Sequence, residues 1–202
     1  IVYLFLMYYY TDVAGVPAAF VGTLFLVVRI IDAVSDPVMG MIVDNTRSRF
    51  GKFRPWIILG TVINSLALLA LFSAHLFSGS QLLFFVTVTY IVWGLTYTIM
   101  DIPFWSMVPA LSARREERER LVVWPRLFAS IAWTIVGTYG LASIAFLGKG
   151  DEGRGFLLLS GLIIIAFLAS ALIIFTQVKE RVTTQVTSER FSFGDVIAIL
   201  RN

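Results

Sequence analysis

The chain has 202 residues, of which 58% are hydrophobic and only 14% charged, with a mean hydropathy of +0.85. Soluble domains carry about 25% charged residues, so this composition describes a membrane protein. The absence of cysteine excludes a disulfide framework and thiolate metal sites, and a single histidine excludes a histidine metal cluster. The net charge of +3 sits in short loops, where it orients membrane helices instead of binding nucleic acid.

Crossing a hydrocarbon core of ~30 Å takes about 20 apolar residues, and six runs of the chain read as spans. The first covers residues 1 to about 12. It opens inside an apolar run with no initiator methionine and no basic leader, so the chain is expected to be part of a longer protein. The second runs from about 17 to 43. The third covers 56–77, opening on Pro55-Trp56 and closing near Ser78-Gly79-Ser80. The fourth runs from 82 to about 111, the fifth from 122 to 147, and the sixth from 156 to about 177. Residues 179–190 read as a polar linker of mixed charge. Residues 191–202 read as a short amphipathic helix at the interface or the lead-in to a seventh span. The expected organisation is thus a six-helix bundle over 1–177 followed by a cytoplasmic middle loop over 178–202.

The loops alternate in charge. Arg47, Arg49, Lys52 and Arg54 lie between spans two and three; Arg114, Arg115, Arg118 and Arg120 lie between four and five; Lys179, Arg181 and Arg190 follow span six. The opposite loops are short or nearly neutral. Basic loops stay cytoplasmic, which predicts both ends of the chain inside. An even number of helices with both ends on one side fits a 3+3 inverted repeat, although no internal symmetry is visible in the sequence.

Span two carries the strongest functional signal. Arg29, Asp32, Ser35 and Asp36 fall at i, i+3, i+6 and i+7 and share one side of the helix. A carboxylate at mid-membrane costs about 2.5–3.5 kcal/mol on insertion scales, and such residues mark ion or substrate paths. An intrahelical Arg29–Asp32 pair retained for packing accounts for one acid and leaves the other uncompensated. With both ionised the stripe carries −1, which favours a proton or a bound cation. Two carboxylates and a hydroxyl are hard oxygen ligands suited to sodium.

Span four carries a second stripe of Gly94, Tyr97, Thr98, Asp101 and Trp105 at three- and four-residue spacings, with Pro103 able to open the backbone. Arg126, near the start of span five, is the expected partner of Asp101. One reading is an interhelical ion pair with an aromatic lining. The other is a sugar site, in which Asp101 and Arg126 accept and donate to hydroxyls in fixed directions and an indole offers a flat apolar face. Thr98 could instead turn toward span two and add an oxygen to a cation shell.

The loop running from Gly40 through Asp44, Arg47, Arg49, Gly51, Lys52 and Arg54 to Pro55-Trp56 is more than an orienting charge run: Asp44, at a helix C-terminus, is placed to hold a cytoplasmic contact that breaks between states. The Arg114–Arg120 run reads as a solvated loop, His75 as interfacial, and Asp12 as a loop-edge acid. No phosphate-binding glycine loop, metal-hydrolase spacing or nucleophile elbow is present, so nothing in the sequence supports an enzyme.

Asp32-x-x-x-Asp36-Pro37-x-x-Gly40, followed by Thr46-Arg47-Ser48-Arg49-x-Gly51-Lys52-x-x-Pro55-Trp56, resembles the glycoside–pentoside–hexuronide:cation symporter family of the major facilitator superfamily. Tyr8 to Val13, Leu71 to Phe77 and Tyr97 to Ser106 are similar to its galactoside carriers. The resemblance runs through essentially the whole chain and implies the N-terminal six-helix half of a twelve-helix all-α transporter in a bacterial inner membrane. It implies that Asp32 and Asp36, assisted by Thr98, bind a coupling sodium, lithium or proton. It further implies that Asp101, Trp105 and Arg126 bind a galactoside such as melibiose, with Tyr97 in the same stripe; no resident cofactor is expected. Where this chain has Ser35, sodium-coupled galactoside carriers of the family commonly have asparagine. A helix 1 acid used by the family in sugar binding would precede Ile1. Two rival classes stand beside this reading: a proton-coupled or facilitative carrier of another glycoside, pentoside or glucuronide, and a non-transport scaffold or channel whose acids pair internally.

Overall fold

The computed structural model describes residues 1–178, and among these there is no β-strand. The expectations for a linker over 179–190 and an amphipathic segment over 191–202 lie outside the described residues. Helix α1 (Val2–Tyr8) runs into a π-helical turn over Tyr9–Val13. There follow α2 (Ala18–Asp44), α3 (Arg54–Leu71), a 3-10 turn (Ala74–Leu76), α4 (Gly79–Ser106), the short α5 (Val108–Leu111), α6 (Arg115–Gly148) and α7 (Glu152–Gln177). Of these, α2, α3, α4, α6 and α7 are each long and apolar enough to cross a membrane. The bundle is all-α, and α1 with its π-turn occupies the place of the expected first span.

Three boundaries differ from the sequence reading, each for a local reason. The third span ends six residues early because Tyr9 intercepts it. Its hydroxyl donates to the Phe72 carbonyl at 2.7 Å and accepts from the His75 backbone N–H at 3.2 Å, taking two groups that a continuing helix would pair internally. His75 therefore packs inward, its Nδ1 2.8 Å from the Tyr9 hydroxyl. The fourth span breaks at Met107, because Pro109 has no N–H to continue the ladder; Ala110 bonds to the Met107 carbonyl instead. The fifth span starts at Arg115, so Arg115–Arg120 is helix and not the solvated loop expected. The Ser112 side chain accepts from the Arg114 N–H and donates to Glu117, and Arg115 pairs with Glu119 one turn on at 2.9 Å. Ser112 thus holds the backbone just ahead of the helix, and the first turn carries an i,i+4 ion pair.

Small residues bring the helices together, as expected where lipid offers no hydrophobic drive between them. Gly60 of α3 lies against the α4 backbone: a Cβ there would sit 2.8 Å from Met100 N. Gly155 of α7 is packed so closely on the Ile144 carbonyl of α6 that a Cβ would overlap it. Helix α4 lies between α2 and α3, and α7 between α3 and α6.

The apolar core is divided. One cluster surrounds Tyr9, Val21, Val28, Phe72, Trp93 and Phe156; the other surrounds Met39, Val43, Phe53, Ile57, Met100 and Met107. Along α2 the gap between the clusters holds Asp32 and Asp36. Along α4 it holds Gly94 and Thr98. Hydrophobic packing thus fixes the ends of the bundle and leaves a polar waist.

A candidate cation and glycoside site

Helices α2 and α4 run in the same direction, α3 being the returning helix that joins them along the chain. Asp36 lies 18 residues past the first residue of α2, and Thr98 lies 19 past the first of α4. At 1.5 Å per residue, equal offsets give the two side chains nearly equal depth. They meet there: the Thr98 hydroxyl donates to Asp36 Oδ1 at 3.0 Å. Thr98 is buried and Asp36 half-buried.

One turn away, Arg29 Nη1 lies 3.4 Å from Asp32 Oδ2, a long ion pair whose arginine is exposed. Asp32 Oδ1 is buried with no hydrogen-bond partner. It faces Gly94 of α4, where a Cβ would stand only 3.3 Å from that oxygen and 3.0 Å from Val28 Cγ1. The absence of a side chain at Gly94 is what admits the carboxylate. A buried carboxylate oxygen left bare is costly, and a cation or proton is the species that would answer it. Ser35, also expected to contribute an oxygen, donates back along its own helix to the Asp32 carbonyl at 3.3 Å. That bond uses its proton and leaves its lone pairs open.

The second expected constellation continues down α4. Tyr90 stacks on Trp93 and Trp93 packs at a tilt on Tyr97, with ring centroids 5.9 and 5.5 Å apart. Asp101 follows one turn below, half-buried, its carboxylate interacting with the side chains of Tyr97 and Trp105. Arg126 does not pair with Asp101: among the described residues no ion pair joins them within 4 Å. Its guanidinium instead lies 5.6 Å from the centre of the Trp105 ring, a cation–π contact between α6 and α4. The expected ion pair is therefore replaced by a guanidinium–indole contact.

Two residues of the waist were not singled out from the sequence. Tyr3 of α1 carries the Arg29 guanidinium over its ring at 5.4 Å and packs edge-on to Trp93 at 5.8 Å. Asn64 of α3 is buried against α4. The signal for Asn64 was present, a lone carboxamide inside an apolar span; nothing in the spacing of Tyr3 distinguished it from a lipid-facing aromatic. At the other end of α2, Asp44 pairs with Lys52 at 2.7 Å, and the Trp56 indole N–H donates to Thr46 at 2.9 Å. The Asp44 contact expected from the charge spacing thus forms within its own loop.

Residues 1–201 match the family described as MFS/sugar transport protein. The chain is 36% identical over 203 residues to a putative glycoside/cation symporter, YagG, of Escherichia coli (strain K12), covering 98% of this chain and 43% of that protein. It is 32% identical over 182 residues to an isoprimeverose transporter of Lactiplantibacillus pentosus, covering 89% and 38%. It is 34% identical over 168 residues to a lactose permease of Lactobacillus helveticus, covering 78% and 26%. The chain thus spans less than half the length of these relatives. Taken with the all-α bundle and its apolar spans, these matches place this multi-pass membrane chain in the MFS/sugar transport protein family, among relatives that include glycoside/cation symporters and sugar permeases.

Proposed function

We propose that this chain is the N-terminal six-helix half, residues 1–177, of a twelve-helix secondary transporter, with 178–202 forming its cytoplasmic middle loop. The complete protein imports a glycoside together with a monovalent cation; it is not an enzyme. Asp32 and Asp36, with oxygens from Thr98 and Ser35, bind the cation. Asp101, Trp105, Arg126 and Tyr97 bind the sugar, which is a galactoside such as melibiose, and the cation is sodium, lithium or a proton. The observation that carries the reading is the 3.0 Å bond from Thr98 to Asp36. It supports an α4 oxygen in the same shell as the α2 carboxylates, three residues from Asp101.

Coupling follows from that adjacency. With the cation site empty, two carboxylates and one guanidinium leave net negative charge at the polar waist, next to a sugar site that must itself bury Asp101. A bound cation answers the bare Asp32 oxygen and the charge of Asp36, so that α4 can settle against α2 and present Asp101 and Trp105 in a fixed geometry. The two halves then rock around the loaded site. By linkage, the sugar tightens the cation by the same factor. The protein sits in a bacterial inner membrane with both ends of this segment cytoplasmic, in contact with lipid, the C-terminal six-helix half, sugar and cation, and not with nucleic acid.

Asp36→Cys in the complete transporter should abolish sodium-stimulated binding of a radiolabelled galactoside while leaving cation-independent binding. Full sodium stimulation in that variant would refute the cation site. The alternative, a proton-coupled or facilitative carrier of another glycoside, pentoside or glucuronide on the same fold, has specific support in the relative named for isoprimeverose. Uptake of labelled melibiose with and without sodium separates the two readings.

A further inference from the structure

Asn64 lies in mid-α3, 3% exposed, and its side-chain amide donates to the Trp93 carbonyl and to Thr96 Oγ1, each at 2.9 Å. A carboxamide inside an apolar bundle is costly unless it is hydrogen-bonded, and this one finds two acceptors on α4. The acceptors are informative. In a regular helix the Trp93 carbonyl takes the Tyr97 N–H; here it also takes a donor from a neighbouring helix, Asn64, beside the Thr96 hydroxyl of its own helix. Thr96 Oγ1 spends its own proton along α4, 2.8 Å from the Val92 carbonyl and 3.1 Å from the Trp93 carbonyl, and its lone pairs are free to accept. Near the other end of the same stretch Gly60 presses α3 against the backbone of Ile99 and Met100. Two contacts therefore pin residues 93–100 of α4 to α3.

The opposite side of that stretch presents Gly94 to Asp32 and Thr98 to Asp36. O–H···O hydrogen bonds span about 2.5–3.0 Å, and the Thr98–Asp36 bond at 3.0 Å is at the long end, so movement of α4 away from α2 would break it. We propose that Asn64 is a positioning residue for the cation site: by clamping the Trp93 turn of α4 to α3, it sets the distance between the α4 oxygen and the α2 carboxylates. This inference rests on the cation-site reading above. Asn64 touches neither cation nor sugar, and its effect passes through the register of α4.

The test uses the complete transporter carrying Asn64→Leu, Asn64→Ser, Thr96→Val or Asp36→Asn. Sugar binding is titrated with NaCl at neutral pH and, without sodium, with protons, and the unfolding temperature is measured with and without the cation. Asn64→Leu should raise the half-maximal cation concentration by about tenfold, as loss of a group that orients a metal ligand does. Sugar affinity at saturating cation should stay within about twofold, and the cation-induced rise in unfolding temperature should shrink. Asn64→Ser, smaller and still polar, cannot reach both acceptors and should shift the midpoint in the same direction if the leucine variant does not fold. Thr96→Val keeps the bond to the Trp93 carbonyl and should shift it less. Asn64 variants that fold with a wild-type cation midpoint, or that lose cation and sugar affinity in equal proportion, overturn the positioning role. Should Asp36→Asn keep full cation stimulation, the cation site itself is wrong, whatever the Asn64 variants do.

Discussion

An acid held inside a bilayer helix needs something to answer its charge, and Asp32 and Asp36 are answered unequally. Asp36 has a hydroxyl from another helix at 3.0 Å; Asp32 has an exposed arginine at 3.4 Å on one oxygen and nothing on the other. That asymmetry argues against two internally neutralised acids, which a scaffold or channel would require. The same scale of argument applies to Trp105, whose ring is flanked by a guanidinium and by the Asp101 carboxylate. If its face stacks on a pyranose, Trp105→Ala should weaken sugar binding by roughly two- to tenfold, the worth of about 0.5–1.5 kcal/mol for an aromatic face. Trp105→Phe should recover most of the loss, with the cation midpoint unmoved, as equilibrium binding of labelled sugar would report. The acids, Thr98, Asp101 and Trp105 were legible in the sequence because each repeats at one helical turn on an otherwise apolar strip. The ion pair between Asp101 and Arg126 does not form because the guanidinium lies over the Trp105 ring, a contact that opposite charge alone does not predict. Asn64 and Tyr3 act across helices, and helix-to-helix register is not written in the spacing along any one of them.

At the scale of the element, apolar length predicted where spans lie, and side-chain interception decided where they stop. Spans two and six came within a few residues of α2 and α7. Span three was overrun, since its apolar sequence continues through Phe72 and Leu76 while the Tyr9 hydroxyl, more than sixty residues earlier, takes the Phe72 carbonyl and the His75 N–H. Span five was underrun, since mixed Arg and Glu reads as solvated charge until the Ser112–Glu117 bond and the Arg115–Glu119 pair are seen. The Tyr9 interaction is testable. Tyr9→Phe leaves the buried ring packing intact but strips partners from a backbone carbonyl, a backbone N–H and an imidazole. Loss of buried partners of this kind costs about 1–3 kcal/mol, so the unfolding temperature in detergent should drop by several degrees. An unchanged melting curve would mean that the α1–α3 junction is held by packing alone.

For the whole molecule, charge asymmetry between loops predicts an orientation. The 47–54 and 114–120 segments are basic, while the turn near Ser78 and the 148–154 segment are not, so the former should face the cytoplasm. This chain contains no cysteine, so Ser48→Cys and Ser78→Cys give single reporters within it. An impermeant maleimide added to intact cells should label position 78 and spare position 48; the reverse pattern would invert the topology. On that frame the polar waist lies between two apolar clusters, with α2 and α4 side by side at the depth where the acids sit. Everything proposed for transport depends on a cation visiting that waist. Direct sodium or proton binding to the purified complete transporter, compared with an Asp32→Asn/Asp36→Asn double variant of equal helical content, tests this most directly. The account predicts saturable cation binding in the native protein that enhances sugar affinity and disappears in the double variant. Cation binding of unaltered affinity in the double variant would contradict it.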